Sequence, residues 1–139
     1  MVALSPVEPK IALRQLSLAR EAATSCWNIR WKVENLGSDS LKISFVRLPH
    51  GQFKADEQQF TPALELSGGG SEQFQSLVHC DEPLGLVTEN AFVIFHCDWR
   101  GEAWRIFVRV RVTVNANGEP ETATELITTQ KVGFSGVST

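Results

Sequence analysis

The sequence predicts an all-β domain, an antiparallel β-sandwich of about seven strands. Three observations carry that reading: apolar and polar residues alternate with period two in several runs, turn signals separate those runs at short intervals, and Ile11 to Arg20, the segment with good helix formers, offers no helical stripe wide enough to be useful. At 139 residues the chain has the length of one domain and can bury a single core without staples. Residues 1–139 are therefore read as one domain, with 1–9 as an N-terminal arm and 121–139 as a C-terminal tail or extra strand.

Taken in chain order, Ile11 to Arg20 is read as a first strand with a bulge between Leu13 and Leu16, although "LRQLSLAREAA" also contains good helix formers. In "CWNIRWKVEN", Trp27, Ile29, Trp31 and Val33 alternate with Asn28, Arg30, Lys32 and Glu34, the pattern of a strand with one dry and one wet face. Asn35-Leu36-Gly37-Ser38 marks a turn. Leu41, Ile43 and Phe45 resume the alternation toward Pro49, whose missing donor is expected to end pairing. "QFTPALELS" and "SEQFQSLVHC" give two strands around the glycines at 68, 69 and 70. "NAFVIFHCDW" is apolar on both sides, as a central strand with a partly covered outer face requires. In "WRIFVRVRVTV", Trp104, Ile106, Val108, Val110, Val112 and Val114 share one face, against Arg105, Phe107, Arg109, Arg111 and Thr113.

This order of strands, with "WNIRWKVENLGSDSLKI" followed by "FTPALELSGGGSEQF", resembles the immunoglobulin-like modules of bacterial proteins over roughly residues 10 to 115. The resemblance implies an immunoglobulin-like β-sandwich and is one of fold alone. The chain departs from the pattern in having no tyrosine, so the tyrosine corner is missing. Cys26 shares the polar face of its strand with Asn28 and Arg30, which argues against an inter-sheet disulfide.

The tripeptide His-Cys-Asp occurs twice, as His79-Cys80-Asp81 and His96-Cys97-Asp98. A tetrahedral metal site needs four converging side chains. In a strand, adjacent residues point to opposite faces, so each copy offers one of its His-Cys pair to a given side. No metal and no cofactor are expected. Cys80 and Cys97 without a base nearby read as small buried hydrophobes. The glycine run lacks the Lys-Ser/Thr and helix of a phosphate loop, and "GFSGV" lacks the spacing of a nucleophile elbow. His50, near Asp56 and Glu57, is the one loop histidine that could act as a general base.

A net charge of −3 argues against bulk attraction to nucleic acid or to an anionic membrane, and neither is expected as a partner. No run approaches the length of a membrane span, and three cysteines do not suggest a secreted disulfide framework. With no leader pattern at the start of the sequence, a reducing cytoplasm is the expected setting.

What remains is a surface. If the last two long strands form a hairpin closed by Arg100-Gly101-Glu102-Ala103, Trp99 faces Trp104, Asp98 lies opposite Arg105 and Phe92 opposite Arg111. The outer face then collects Phe92, Ile94, His96, Asp98, Arg105, Phe107, Arg109 and Arg111, a mixture that contact surfaces favour. The alternative is that the tail "ELITTQKVGFSG", with Leu126, Ile127, Val132 and Phe134, folds back across this face and makes it ordinary core. The leading expectation is a non-enzymatic protein-interaction module that binds a protein partner or forms a homo-oligomer. The alternatives are a carbohydrate or small-ligand module with Trp99 and Trp104 as an exposed, coplanar stacking platform, and an enzyme built on a loop histidine.

Overall fold

The computed structural model describes residues 7–21 and 25–132. Residues 1–6 of the arm and 133–139 of the tail, with Phe134, lie outside the described residues. Eight strands follow one another: β1 Ile11–Arg20, β2 Cys26–Asn35, β3 Leu41–His50, β4 Phe53–Leu66, β5 Ser71–His79, β6 Val87–Trp99, β7 Glu102–Val114 and β8 Pro120–Lys131.

The strands form one antiparallel sheet in the order β1-β2-β5-β4-β3-β6-β7-β8, which nearly closes into a barrel. This corrects the expected immunoglobulin-like sandwich of two sheets and the resemblance behind it. Alternation along a strand reports that one face is dry, and a barrel wall satisfies that as well as a sandwich layer does. The eighth strand falls largely in the segment read as a tail or extra strand. It pairs with β7 from Trp104↔Lys131 to Val114↔Pro120, so it extends the sheet sideways instead of lying across its face.

Two seams shape the barrel. Between β4 and β5 the ladder holds a single pair, Lys54↔His79. Rings fill the interior beside it: Phe74 meets Phe60 at 5.6 Å and Phe95 at 5.8 Å, edge to face in each case, and Trp31 meets Phe53 edge to face at 6.3 Å. At the far end of this seam, buried Asn35 ties the turns together. Its Nδ2 donates to the carbonyls of Asp39 at 2.8 Å and Leu66 at 3.1 Å, and its Oδ1 accepts from the Gly37 N–H at 3.0 Å. The turns pack closely enough that a Cβ on Gly68 would sit 2.4 Å from the Ser38 carbonyl oxygen.

The second seam lies between edge strands β1 and β8, where side chains bridge the gap. Leu16 bulges out of the β1–β2 register between Gln15 and Ser17. Gln15 Nε2 donates to the Pro120 carbonyl at 3.1 Å, while its Oε1 accepts from the Thr122 N–H at 2.9 Å and the Thr122 hydroxyl at 2.8 Å. Thr124 donates its hydroxyl to the Leu13 carbonyl at 3.3 Å, and the Thr129 hydroxyl donates to Glu8. One amide thus does across this seam what ladder bonds do elsewhere.

The interior takes the alternating residues of β2 and β7, Trp27, Ile29, Trp31 and Val33 on the first and Trp104, Ile106, Val108, Val110, Val112 and Val114 on the second, as the periodicity predicts, whereas β8 adds to this apolar cluster only the half-buried Ile127. Gln15→Ala should cost about 1–3 kcal/mol, because it leaves polar groups of β8 unpartnered. Amide exchange at Thr122 should speed up with it. A variant of unchanged stability and unchanged Thr122 protection would show that the seam closes without the clasp.

Candidate functional site

β3 does not keep the phase its first residues suggest. Ser44 is left out of register on both sides, between Ile43 and Phe45 in the pairing with β4 and in that with β6. Such a bulge reverses which side chains face inward beyond it. Leu41 and Ile43 are buried, then Val46 and Leu48 take over, and Phe45 turns outward, contrary to the simple alternation. Phe45 and Arg47 therefore join the outer face, and sequence reasoning missed both. The adjacent apolar pair Phe45-Val46 in "LKISFVRL" was the available signal, since no unbroken period-two strand places both on suitable faces.

β6 and β7 supply the rest. Their hairpin is closed by two residues, Arg100 and Gly101, with φ of 53° and 73°, the left-handed pair of a type I′ turn. Trp99 therefore pairs with Glu102, His96 with Arg105, Ile94 with Phe107 and Phe92 with Arg109. The expected register of Asp98 against Arg105 and Phe92 against Arg111 is off by two residues. A shift of two leaves every side chain on the predicted face, so the composition of the surface holds while its neighbours change.

The outer face reads in rows across the strands. One row runs Phe45, His96, Arg105, Gln130; the next runs Arg47, Ile94, Phe107, Thr128; a third runs Phe92, Arg109, Leu126. Phe45 stacks on the His96 imidazole with centroids 4.0 Å apart and planes 15° from parallel. Ile94 is buried, and Phe92, His96, Arg105, Phe107 and Arg109 are half-buried. Arg111 is exposed and pairs with Glu89 and Glu125, each at 3.3 Å. Glu89 reaches it because Glu89 and Asn90 bulge out of β6 opposite Arg111, with Asn90 at a φ of 61°.

Arg47, Arg105 and Arg109 have no ion pair among the described residues. Arg47 Nε, Arg105 Nε and His96 Nε2 are buried atoms with no hydrogen-bond partner in the protein. Burial, then the positive charges of Arg105 and Arg47, lower the His96 pKa from its ordinary 6.5, opposed by Glu57. The cluster is therefore a neutral imidazole between two unpaired guanidinium groups, stacked on a ring.

The other candidates lie elsewhere. Trp99 and Trp104 are 4% and 7% exposed and meet edge to face, 5.8 Å apart at 85°, which corrects the exposed, coplanar platform. His50 Nδ1 accepts from the Gln52 N–H at 3.2 Å within the β3–β4 turn. The two His-Cys-Asp copies sit at opposite ends of the barrel: His79 lies beside Cys26 and Lys54, and Cys97 beside Ile43 and Trp104. Among the described residues no three His, Cys, Asp or Glu side chains are grouped to hold a metal ion. Burial raises the Cys97 thiol to about 12 and the Cys80 thiol to about 11, with Asp98 adding to the first and Glu82 and Asp81 to the second, so both are protonated thiols at neutral pH. Cys97 donates to the Trp104 carbonyl at 3.6 Å.

No protein-family model matches the chain, and no curated protein matches it. One solved structure, described as an X-ray structure of Northeast Structural Genomics Consortium target SoR45, aligns over 95% of this chain and 92% of its own at 12% identity, with a TM-score of 0.27. A likeness of that depth carries no argument about fold or function.

His96 also gives the face a pH signature. Its folded pKa lies below the ordinary 6.5, so the neutral ring stabilises the fold above that pH, and the contribution is lost as pH falls through the folded value. The melting temperature should fall as the pH drops below 6.5, and His96→Phe should make that fall smaller. Equal falls in the two proteins would remove His96 as a cause.

Proposed function

We propose that this chain is a non-enzymatic protein-interaction module that docks a protein partner through the outer face of β3, β6 and β7. The observation behind it is the state of three arginines. Arg47, Arg105 and Arg109 are held half-buried among Phe45, Phe92, Ile94 and Phe107 without a carboxylate to pair with, while Arg111 on the same face has two. Partly desolvating a guanidinium without pairing it costs the monomer stability. Arginines set among aromatic rings in this way suit an interface, where a partner supplies both the counter-charge and the apolar cover. Since β8 continues the sheet edge, it does not cover the face, which is uncovered among the described residues, with Leu126, Thr128 and Gln130 forming its border.

The partner is a different surface, not the same face of a second copy. A two-fold contact over this face would bring a second set of three unpaired arginines close to the first without supplying their counter-charge, and like charges brought together across an interface cost several kcal/mol.

Arg109→Glu with Phe107→Ser tests the reading, because neither side chain fills the barrel interior and the melting temperature should stay nearly unchanged. A photo-crosslinking residue at Thr128, which borders Phe107 in the sheet, should give a discrete adduct in cells that this double variant abolishes. The same residue at exposed Leu77 on β5 should give none. Adducts that persist in the double variant, or that form equally from Leu77, would overturn the proposal, and a doubled solution mass would make the partner a second copy.

A further inference from the structure

We propose that the Arg47, His96 and Arg105 cluster is a carboxylate-binding site that receives an acidic side chain from an extended partner segment of the pattern acidic, any, aliphatic, any, acidic. This rests on the reading that the outer face docks a partner, and it names what the partner presents there.

Placement comes first. Phe45, His96 and Arg105 are direct cross-strand neighbours, and Arg47 stands in the adjoining row beside Ile94. Neighbouring strands lie about 4.8 Å apart, so two guanidinium groups flank one imidazole within the reach of a single carboxylate. That carboxylate offers two oxygens and roughly four acceptor positions. The three buried nitrogens without partners, Arg47 Nε, Arg105 Nε and His96 Nε2, are donors when His96 carries its proton on Nε2 or is protonated on both nitrogens. The stack with Phe45 fixes the imidazole plane, so the acceptor meets a set geometry.

Charge decides the class of ligand. Asp98 lies two residues beyond His96 on β6, and Asp56 and Glu57 lie opposite Arg47 on β4, with Glu57 facing His96; none of the three forms an ion pair with the cluster, and Glu89 and Glu125 are engaged by Arg111. Arg47 and Arg105 are the positive groups that face His96. The net charge of −3 opposes a long polyanion, and the unpaired positive patch is confined to a few residues interrupted by Phe107 and Ile94. Alternation along β7 supplies the pattern: Arg105, Phe107 and Arg109 project from one face at every second residue, about 6.8 Å apart. An extended segment aligned with β7 meets them with an acidic, an aliphatic and a second acidic side chain at the same spacing.

The test uses the full chain, with nitrogen-detected resonances of the arginine Nε and histidine ring groups, and the capped pentapeptide Glu-Thr-Leu-Thr-Glu as the probe. At millimolar peptide the Arg105 Nε and His96 ring signals should shift, and the His96 titration should move upward as a carboxylate replaces solvent beside it. Arg105→Gln and, separately, Arg47→Gln should weaken binding about tenfold or more while the melting temperature holds. Gln-Thr-Leu-Thr-Gln should bind correspondingly less.

Equal binding of the two peptides overturns the carboxylate site and leaves the docking face intact. Inorganic phosphate that shifts the same signals at lower concentration than the peptide overturns the choice of carboxylate. Absence of any shift with the acidic peptide overturns the site altogether, whereas the crosslink from Thr128 judges the docking reading independently.

Discussion

A single unpaired residue in β3 decides what the outer face contains. Beyond the bulge at Ser44, Val46 and Leu48 enter the interior and Phe45 and Arg47 leave it. Had the phase of Leu41 and Ile43 continued, the barrel would enclose a guanidinium and expose two aliphatic side chains, an arrangement that burying charge forbids. The bulge removes that conflict and at the same stroke sets Phe45 on His96 and Arg47 beside Ile94. The bulge at Glu89 and Asn90 in β6 does related work, bringing Glu89 to Arg111.

The closure of the sheet explains why that face is free. Nearly closing the sheet on itself consumes the apolar faces of its inner strands, so the interior is a continuous aliphatic and aromatic cluster. Nothing further is needed to cover it. The outer face is then free to carry residues that the fold does not require, and along most of the barrel these are solvated polar groups. On β6 and β7 they are rings, an isoleucine and unpaired arginines. The contrast with Arg111, satisfied by two carboxylates on neighbouring strands, shows that the sheet can pair such residues and at three positions does not.

Period-two alternation made the faces of β2 and β7 legible, because each has a fixed dry side over many residues, and the bulge expected in β1 between Leu13 and Leu16 falls at Leu16. Alternation did not determine how the sheet closes. Whether two dry faces meet across a sandwich or around a barrel depends on pairings distant in sequence, such as Lys54↔His79 and the Gln15 clasp, for which local pattern carries no signal. The start of β4 at Phe53 was hidden by the polar run "KADEQQ". Of the candidate site, Phe92, Ile94, His96, Arg105, Phe107, Arg109 and Arg111 were assigned to the right face, because a hairpin register wrong by two residues preserves side. Their neighbours were not legible. A non-glycine residue at positive φ, Arg100, closes the turn, and nothing in its identity announces a two-residue loop. Trp99 and Trp104 looked available for stacking because tryptophan at a hairpin tip suits either surface or core, and here the inward phase of both strands places them in the core.

The central claim is that Arg47 and Arg105 serve recognition and not the monomer. Replacing both with methionine keeps the apolar stems and removes two unpaired, partly desolvated charges. The melting temperature of the Arg47→Met, Arg105→Met variant, compared with that of the parent at neutral pH, should be equal or higher. A fall of several degrees would show that the two guanidinium groups hold the barrel together and would contradict the account.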